Sequence, residues 1–412
     1  MGRCLHSVRA PMFFSCNRPN FPTTRPFLDE GRRFIRGQLL PNRLPTTQLV
    51  AVHPAALAGA DGQALKATAS LEPAEGGAYK LRGRAETSLA GGIPFSYEVQ
   101  INLDQREVEY LRLAADEVDV GVLQKELLAP YLPTSLRIFG KVRELRLSLD
   151  RFGLDNVMQG QAALRGTLSG RLVDGRFEHI ATNSEGDGLE SDEPFRVNFS
   201  LEADGSQSVD GSALFKKYQL LVGGPVIKAL YGDLVHDLVG GRLFVPSLPG
   251  RRCSLKLSLR TQRGEKVCSA RLDKLEAKLD GLAALTLSGR LQAPNEGDVM
   301  YQGEGLIEQE LVLTDLKTAQ REMGVPNLRL RHPLLAAMDL SGSCSYTAKN
   351  VWGPERGAIS GELKFNKVSF SLGAERTLVV KDLDGTLPVA FFRGLWPPEW
   401  PREQRGTLTL AS

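Results

Sequence analysis

From about residue 48 onward, apolar residues fall mostly on alternate positions, the spacing of a strand with one buried face. The pattern is clearest at FSYEVQINLD (95–104), RELRLSLDRF (143–152), FRVNFSLEAD (195–204), CSLKLSLRTQ (253–262), LKFNKVSFSL (363–372) and TLVVKDLDG (377–385). Between the strand-like runs stand turn-forming stretches such as EGG, DGR, ADGS, PNEGD and GPERG.

A small unit recurs at irregular spacing: apolar, any residue, Gly, any residue, then usually apolar. It appears as LRGRA (81–85), IFGKV (138–142), LRGTL (164–168), LSGRL (168–172 and 287–291), LSGSC (340–344), ISGEL (359–363) and QRGTL (404–408). Glycine inside a strand marks a bulge, a sharp bend or the close approach of another backbone. A long sheet that has to curl needs such positions on many strands. Without a fixed period, the chain is not a regular solenoid.

Three segments break the strand rhythm. VDVGVLQKELLAPYLP (118–133) carries Val122, Leu123, Glu126, Leu127 and Pro130 at helical spacing. LFKKYQLLVGGPVIKALYGDLVHDLVGG (214–241) reads as amphipathic helix with a Gly-Gly-Pro break after Val222. LIEQELVLTDLKTAQREMGVP (306–326) ends in a short helix closed by Gly324 and Pro326. So few helices exclude a doubly wound α/β fold.

Composition narrows the class. The chain has 412 residues, 42% hydrophobic and 24% charged, with mean hydropathy −0.18, values of a folded chain rather than a polytopic membrane protein. Lys+Arg 51 against Asp+Glu 48 gives a net charge of +3, too balanced for nucleic acid as the main partner. No run approaches the ~18 apolar residues of a membrane-spanning helix. The first 47 residues are rich in Arg and Pro and are expected to be disordered, leaving 48–412 as one elongated repetitive β-domain.

Candidate chemistry is sparse. No phosphate loop, GxSxG elbow, HExxH or calcium loop occurs. His236 with Asp233 and Asp237 reads as a solvated helix face before it reads as a metal cluster. The acidic run NSEGDGLESDEPF (183–195) reads as an exposed loop between strands. Five cysteines without a CxxC indicate neither a disulfide framework nor a zinc site, although Cys253 and Cys268 could meet across a hairpin. WPPEWP (396–401) carries Trp396 and Trp400, open to a membrane-interface, sugar-stacking or simple connector reading. The chain is therefore expected to be non-enzymatic, without cofactor or metal.

One phrase points to a family. ISGELKFNKVSFSLGAERTLVVKDLDGTLPV (359–389) resembles a phrase of the AsmA-like envelope proteins, particularly the YdbH-type members, through Gly361, Leu363, Val368, Phe370, Leu372, Leu378, Leu383, Gly385 and Leu387. VDVGVLQKELLAPYLPTSLRIFGKVRELRLSLDRFG (118–153) is a looser echo, and the likeness extends over about residues 80 to 412. The resemblance implies a mainly β fold: a long curled, largely antiparallel sheet forming a groove, with a few short amphipathic helices. It also implies a periplasmic protein of the bacterial cell envelope, normally anchored in the inner membrane, whose partners are phospholipid and bacterial membranes or envelope proteins. This chain departs from the family in having no N-terminal anchor and in stopping at RGTLTLAS, which reads as a piece of a longer gene product.

In that reading Leu363, Val368, Phe370, Leu372, Leu378 and Val380 line the groove. Roughly 25 ten-residue strands would make a trough on the order of 120 Å long. The same alternation serves equally a β-rich structural or adhesive scaffold whose apolar faces are internal.

Overall fold

The computed structural model describes residues 47–49, 66–86, 93–125, 135–155, 163–264, 267–294, 304–324, 327, 332–333, 337–353, 357–372, 378–393 and 406–410. The protein is mainly β, as expected: one antiparallel sheet accompanied by short helices. Its first part comprises β1 (Thr47–Leu49), β2 (Lys66–Pro73), β3 (Ala78–Glu86), β4 (Pro94–Asn102), β5 (Glu107–Asp119), β6 (Leu136–Leu149), β7 (Phe152–Gly153), β8 (Leu164–His179), β9 (Ser184–Ser191) and β10 (Phe195–Leu201). There follow β11 (Gln207–Gly223), β12 (Arg242–Val245), β13 (Cys253–Arg263), β14 (Val267–Leu279), β15 (Ala283–Pro294), β16 (Glu304–Leu313), β17 (Asp339–Trp352), β18 (Gly357–Leu372), β19 (Leu378–Arg393) and β20 (Thr407–Thr409). The helices are α1 (Val120–Leu123), α2 (Gly224–Leu238) and α3 (Leu316–Ala319).

Each strand pairs with the next in sequence, except that β7, β9 and β12 are short and share an edge with a longer neighbour. Removing those three from the twenty among the described residues leaves seventeen strands in a single row. At ~4.8 Å per step the row is about 77 Å across. Individual strands are longer than the ten residues the sequence suggested: β8, β18 and β19 have 16 residues each and β11 has 17.

Register makes the sheet two-faced. A ladder runs Leu71, Leu81, Val99, Leu111, Leu149, Gly166, Phe199, Val209, Leu259, Leu272, Gly289, Ile307, Asn350, Ile359, Phe391, each the direct partner of the next. The adjacent ladder runs Ser70, Arg82, Glu98, Arg112, Ser148, Thr167, Asn198, Asp210, Ser258, Lys274. Side chains alternate across a strand, so one face is apolar and the other polar over most of the row.

The glycine units divide by physical cause. Gly140 and Gly342 sit at register shifts, the bulge reading. Gly83 stays in register, yet a Cβ there would lie 1.8 Å from the Thr68 carbonyl oxygen and 2.6 Å from the Tyr97 hydroxyl, so only glycine lets Tyr97 cross to donate to that carbonyl at 3.1 Å.

Two expected elements change. Residues 214–223 belong to β11 rather than to a helix. Register shifts between Phe215 and Gln219 re-phase the strand, so Phe215, Tyr218 and Val222 fall at spacings of three and four that imitate a helical stripe. The acidic run holds β9 rather than a loop; it is paired to β8 and β11, and Glu190 bridges Lys216 and Lys217 at 2.6 and 2.9 Å. In the first expected helix, β5 continues through Asp119, whose carboxylate then caps α1 by accepting from the Val122 N–H at 3.1 Å. Residues 126–133 of that segment lie outside the described residues, as do the N-terminal stretch before Thr47 and the WPPEWP cluster.

Polar-face ion pairs tie neighbouring strands. Glu98 on β4 meets Lys80 and Arg82 on β3 at 3.0 and 2.9 Å, and accepts from the Tyr110 hydroxyl at 2.8 Å. The Tyr110 and Lys80 hydrogen bonds hold its carboxyl at about 2, against an ordinary 4.5. A depressed folded-state pKa contributes stability above the unfolded value and loses it as pH falls toward the folded one. Glu98→Gln is therefore expected to lower the melting temperature at pH 7 by about 1 to 2 °C. In melts across pH, that gap closes between 4.5 and about 2.

Candidate functional site

The six residues expected to line a groove do share a face. Across β18 and β19, Leu363 is opposite Leu387, Val368 opposite Leu383, Phe370 opposite Val380 and Leu372 opposite Leu378. Leu363 and Val368 would point to opposite faces in an uninterrupted strand. The bulge at Asn366-Lys367, with Lys367 at φ 49°, restores the phase, and Asp382 at φ 48° does the same for Val380 and Leu383. The alternation therefore survives because both strands slip together.

Their environments differ. Val368 is buried at 4% exposure, whereas Leu363, Phe370, Leu372 and Val380 are half-buried and Leu378 is 49% exposed. The same holds along the apolar face generally: Leu81, Val99, Leu111, Leu149, Phe199, Val209, Leu259, Leu272 and Ile307 are all half-buried. A second sheet packed ~10 Å away would cover such positions. Among the described residues every strand belongs to the one sheet.

What does lie on this face is α2. Proline at its start and an extended Gly223 set it off from β11, and it is kinked at Gly232, with φ 80° and ψ 176°. That conformation suits glycine and interrupts the i→i−4 ladder, freeing carbonyls near the break. Two buried amides take them up: Gln309 on β16 donates to the Leu230 carbonyl, and Asn350 on β17 donates to the Ala229 carbonyl at 2.9 Å. Tyr231 packs on Tyr346 with ring centroids 6.0 Å apart, and burial pushes the Tyr231 phenol up to about 12.

These contacts also fix curvature. In the row, β11 and β17 are five steps apart, about 24 Å if flat. Leu230 lies only seven residues beyond the end of β11, about 10 Å of helix. The apolar side must bend toward itself for α2 to reach Gln309 and Asn350. At this end of the sheet the apolar face is the concave one.

Gln309 and Asn350 escaped the sequence reading, although a signal existed. Both are amides on positions whose alternate neighbours are apolar: Ile307 and Leu311 flank Gln309, and Ala348 precedes Asn350. A polar residue in the apolar phase marks a place where another element's backbone arrives.

Among the described residues no group of three or more His, Cys, Asp or Glu could hold a metal ion. His236 contacts Asp237 at 2.9 Å. Cys253 and Cys268 do not meet across the hairpin: Cys253 is opposite Leu279 and Cys268 opposite Arg263, and both are free thiols. Cys253 packs with Leu189 and Tyr218, and burial raises its thiol to about 11, which keeps it protonated and unreactive at neutral pH.

Comparison of the chain with protein-family models, with curated proteins and with solved structures found no match.

Proposed function

We propose that the protein is a non-enzymatic, lipid-binding protein of the bacterial cell envelope, its curled apolar face holding or conducting the acyl chains of phospholipid between membranes. The observation that carries this reading is a largely apolar ladder crossing the sheet with most of its side chains half-buried, every strand among the described residues belonging to that one sheet. Leaving that much apolar surface in water is unfavourable, and acyl chains relieve it at ~0.8 kcal/mol per buried CH2. The curvature around α2 gives a trough rather than a plane. The resemblance of residues 359–389 to AsmA-like proteins supports the same reading, including a periplasmic setting.

Native mass spectrometry of the protein from a bacterial host, with solvent extraction of the same sample, tests it. Adducts of phospholipid mass that collapse on extraction are expected. A lipid-free chain that also fails to take up fluorescent phospholipid from vesicles would favour the scaffold reading.

A further inference from the structure

The polar face carries a groove of its own, of about 1180 Å3, lying over β2 to β6, β8 and β10. Its charged lining is Arg82, Arg84, Arg112, Arg146 and Arg196 against the single carboxylate Glu98. That local excess of four positive charges is larger than the net +3 of the whole chain. A second groove on the same face, about 880 Å3 over β10 to β17, sets Arg260, Arg271 and Arg290 against Glu202, Asp210 and Glu304. Of these two grooves, only the first carries the excess.

Glu98 is already taken by Lys80, Arg82 and Tyr110, and Arg112 stacks over Tyr110 at 4.7 Å. Arg84, Arg146 and Arg196 are exposed and have no ion-pair partner among the described residues. Arg146 and Arg196 flank Ser169 in register, two strand steps or about 10 Å apart.

We propose that this groove binds a linear acidic polysaccharide lying across the strands. Every cation in the lining is arginine, whose planar fork matches carboxylates bidentately where lysine offers a point charge. Between the arginines the floor is hydroxyl-bearing: Ser148 and Ser169 can both donate to and accept from sugar hydroxyls, while Ser96 and Thr167, whose protons go to the Ala114 carbonyl and Asn198 Oδ1, can accept. Single-stranded nucleic acid would want free aromatic faces for base stacking, and the two rings in the lining, Tyr97 and Phe195, sit in the apolar phase of their strands, Tyr97 with its hydroxyl on the Thr68 carbonyl. A bilayer surface is flat and cannot follow a groove between standing side chains. The site lies on the face opposite the proposed lipid trough, so it is independent of lipid occupancy.

The test is fluorescence anisotropy with labelled oligogalacturonate, alongside a neutral oligogalactan, a single-stranded DNA oligomer and phosphatidylglycerol vesicles. Wild type is expected to bind the oligogalacturonate, more weakly as salt rises, and not the neutral chain. Arg146→Glu with Arg196→Glu should weaken binding by about tenfold or more, and Arg146→Ala with Arg196→Ala, which adds no new charge, by at least about threefold. Arg260→Glu with Arg290→Glu in the balanced groove should change it less than about twofold. Unchanged melting curves would show that these exposed substitutions leave the fold intact. Failure of oligogalacturonate to bind, equal binding by the Arg146/Arg196 variants, or tighter binding of DNA or vesicles would overturn the proposal.

Discussion

Phe370→Asp is expected to leave the chain folded while stripping it of lipid. Phe370 is half-buried on the apolar face between Leu340 and Val380, so a carboxylate there keeps access to water in the lipid-free protein. Losing a large apolar contact with an acyl chain forfeits about 1.5–3 kcal/mol, a drop of roughly ten- to a hundredfold in lipid retained. Val368→Asp provides the contrast. Val368 is only 4% exposed, and an unpaired buried carboxylate costs on the order of 4 kcal/mol or more, enough to unfold the local sheet. Phosphate assays of extracted lipid, with urea midpoints for both variants, separate the two effects. Equal lipid in folded Phe370→Asp and wild type would argue that this face holds protein rather than lipid.

The second large effect concerns the helix laid on the trough. Gln309→Leu with Asn350→Leu removes the two amides that satisfy the Ala229 and Leu230 carbonyls at the Gly232 kink. Each stranded buried carbonyl costs about 1–3 kcal/mol. The substitutions also remove two buried amide oxygens without hydrogen-bond partners, so the net destabilisation expected for the pair is about 2–4 kcal/mol. Because the loss is local to α2, hydrogen exchange should accelerate at 224–238 well before the sheet amides of β13 to β15 respond. If lipid occupies the trough, detachment of α2 also uncovers more of it, and lipid bound per chain rises. Unchanged exchange in α2 would mean that the helix is held by its apolar contacts alone.

Much of this architecture was legible in the sequence, for a definite reason. Period-two alternation reports which side chains share a face, and it located the strands at 95–102, 195–201, 253–262 and 363–372 and put Phe370 and Leu372 together. It does not report strand length or what covers a face. The bulged half of β11 imitated a helix because slipping by one residue turns spacings of two into three and four. The charges of 183–195 looked like a solvated loop because their lysine partners on β11, Lys216 and Lys217, sit more than twenty residues downstream. The placement of α2 over β16 and β17 is a contact across about eighty to 120 residues, beyond any local pattern. Only the out-of-phase amides Gln309 and Asn350 hinted at it.

The most direct measurement of the central claim is site-specific photo-crosslinking in cells. A photoreactive phenylalanine analogue placed at Phe370 or Leu363, on the apolar face, is compared with the same group at Lys364 or Asn366, on the other side of β18. Phospholipid adducts at 370 and 363, with little or none at 364 and 366, are the predicted result. Adducts spread equally over both faces, or protein adducts alone at 370 and 363, would contradict a lipid-binding trough.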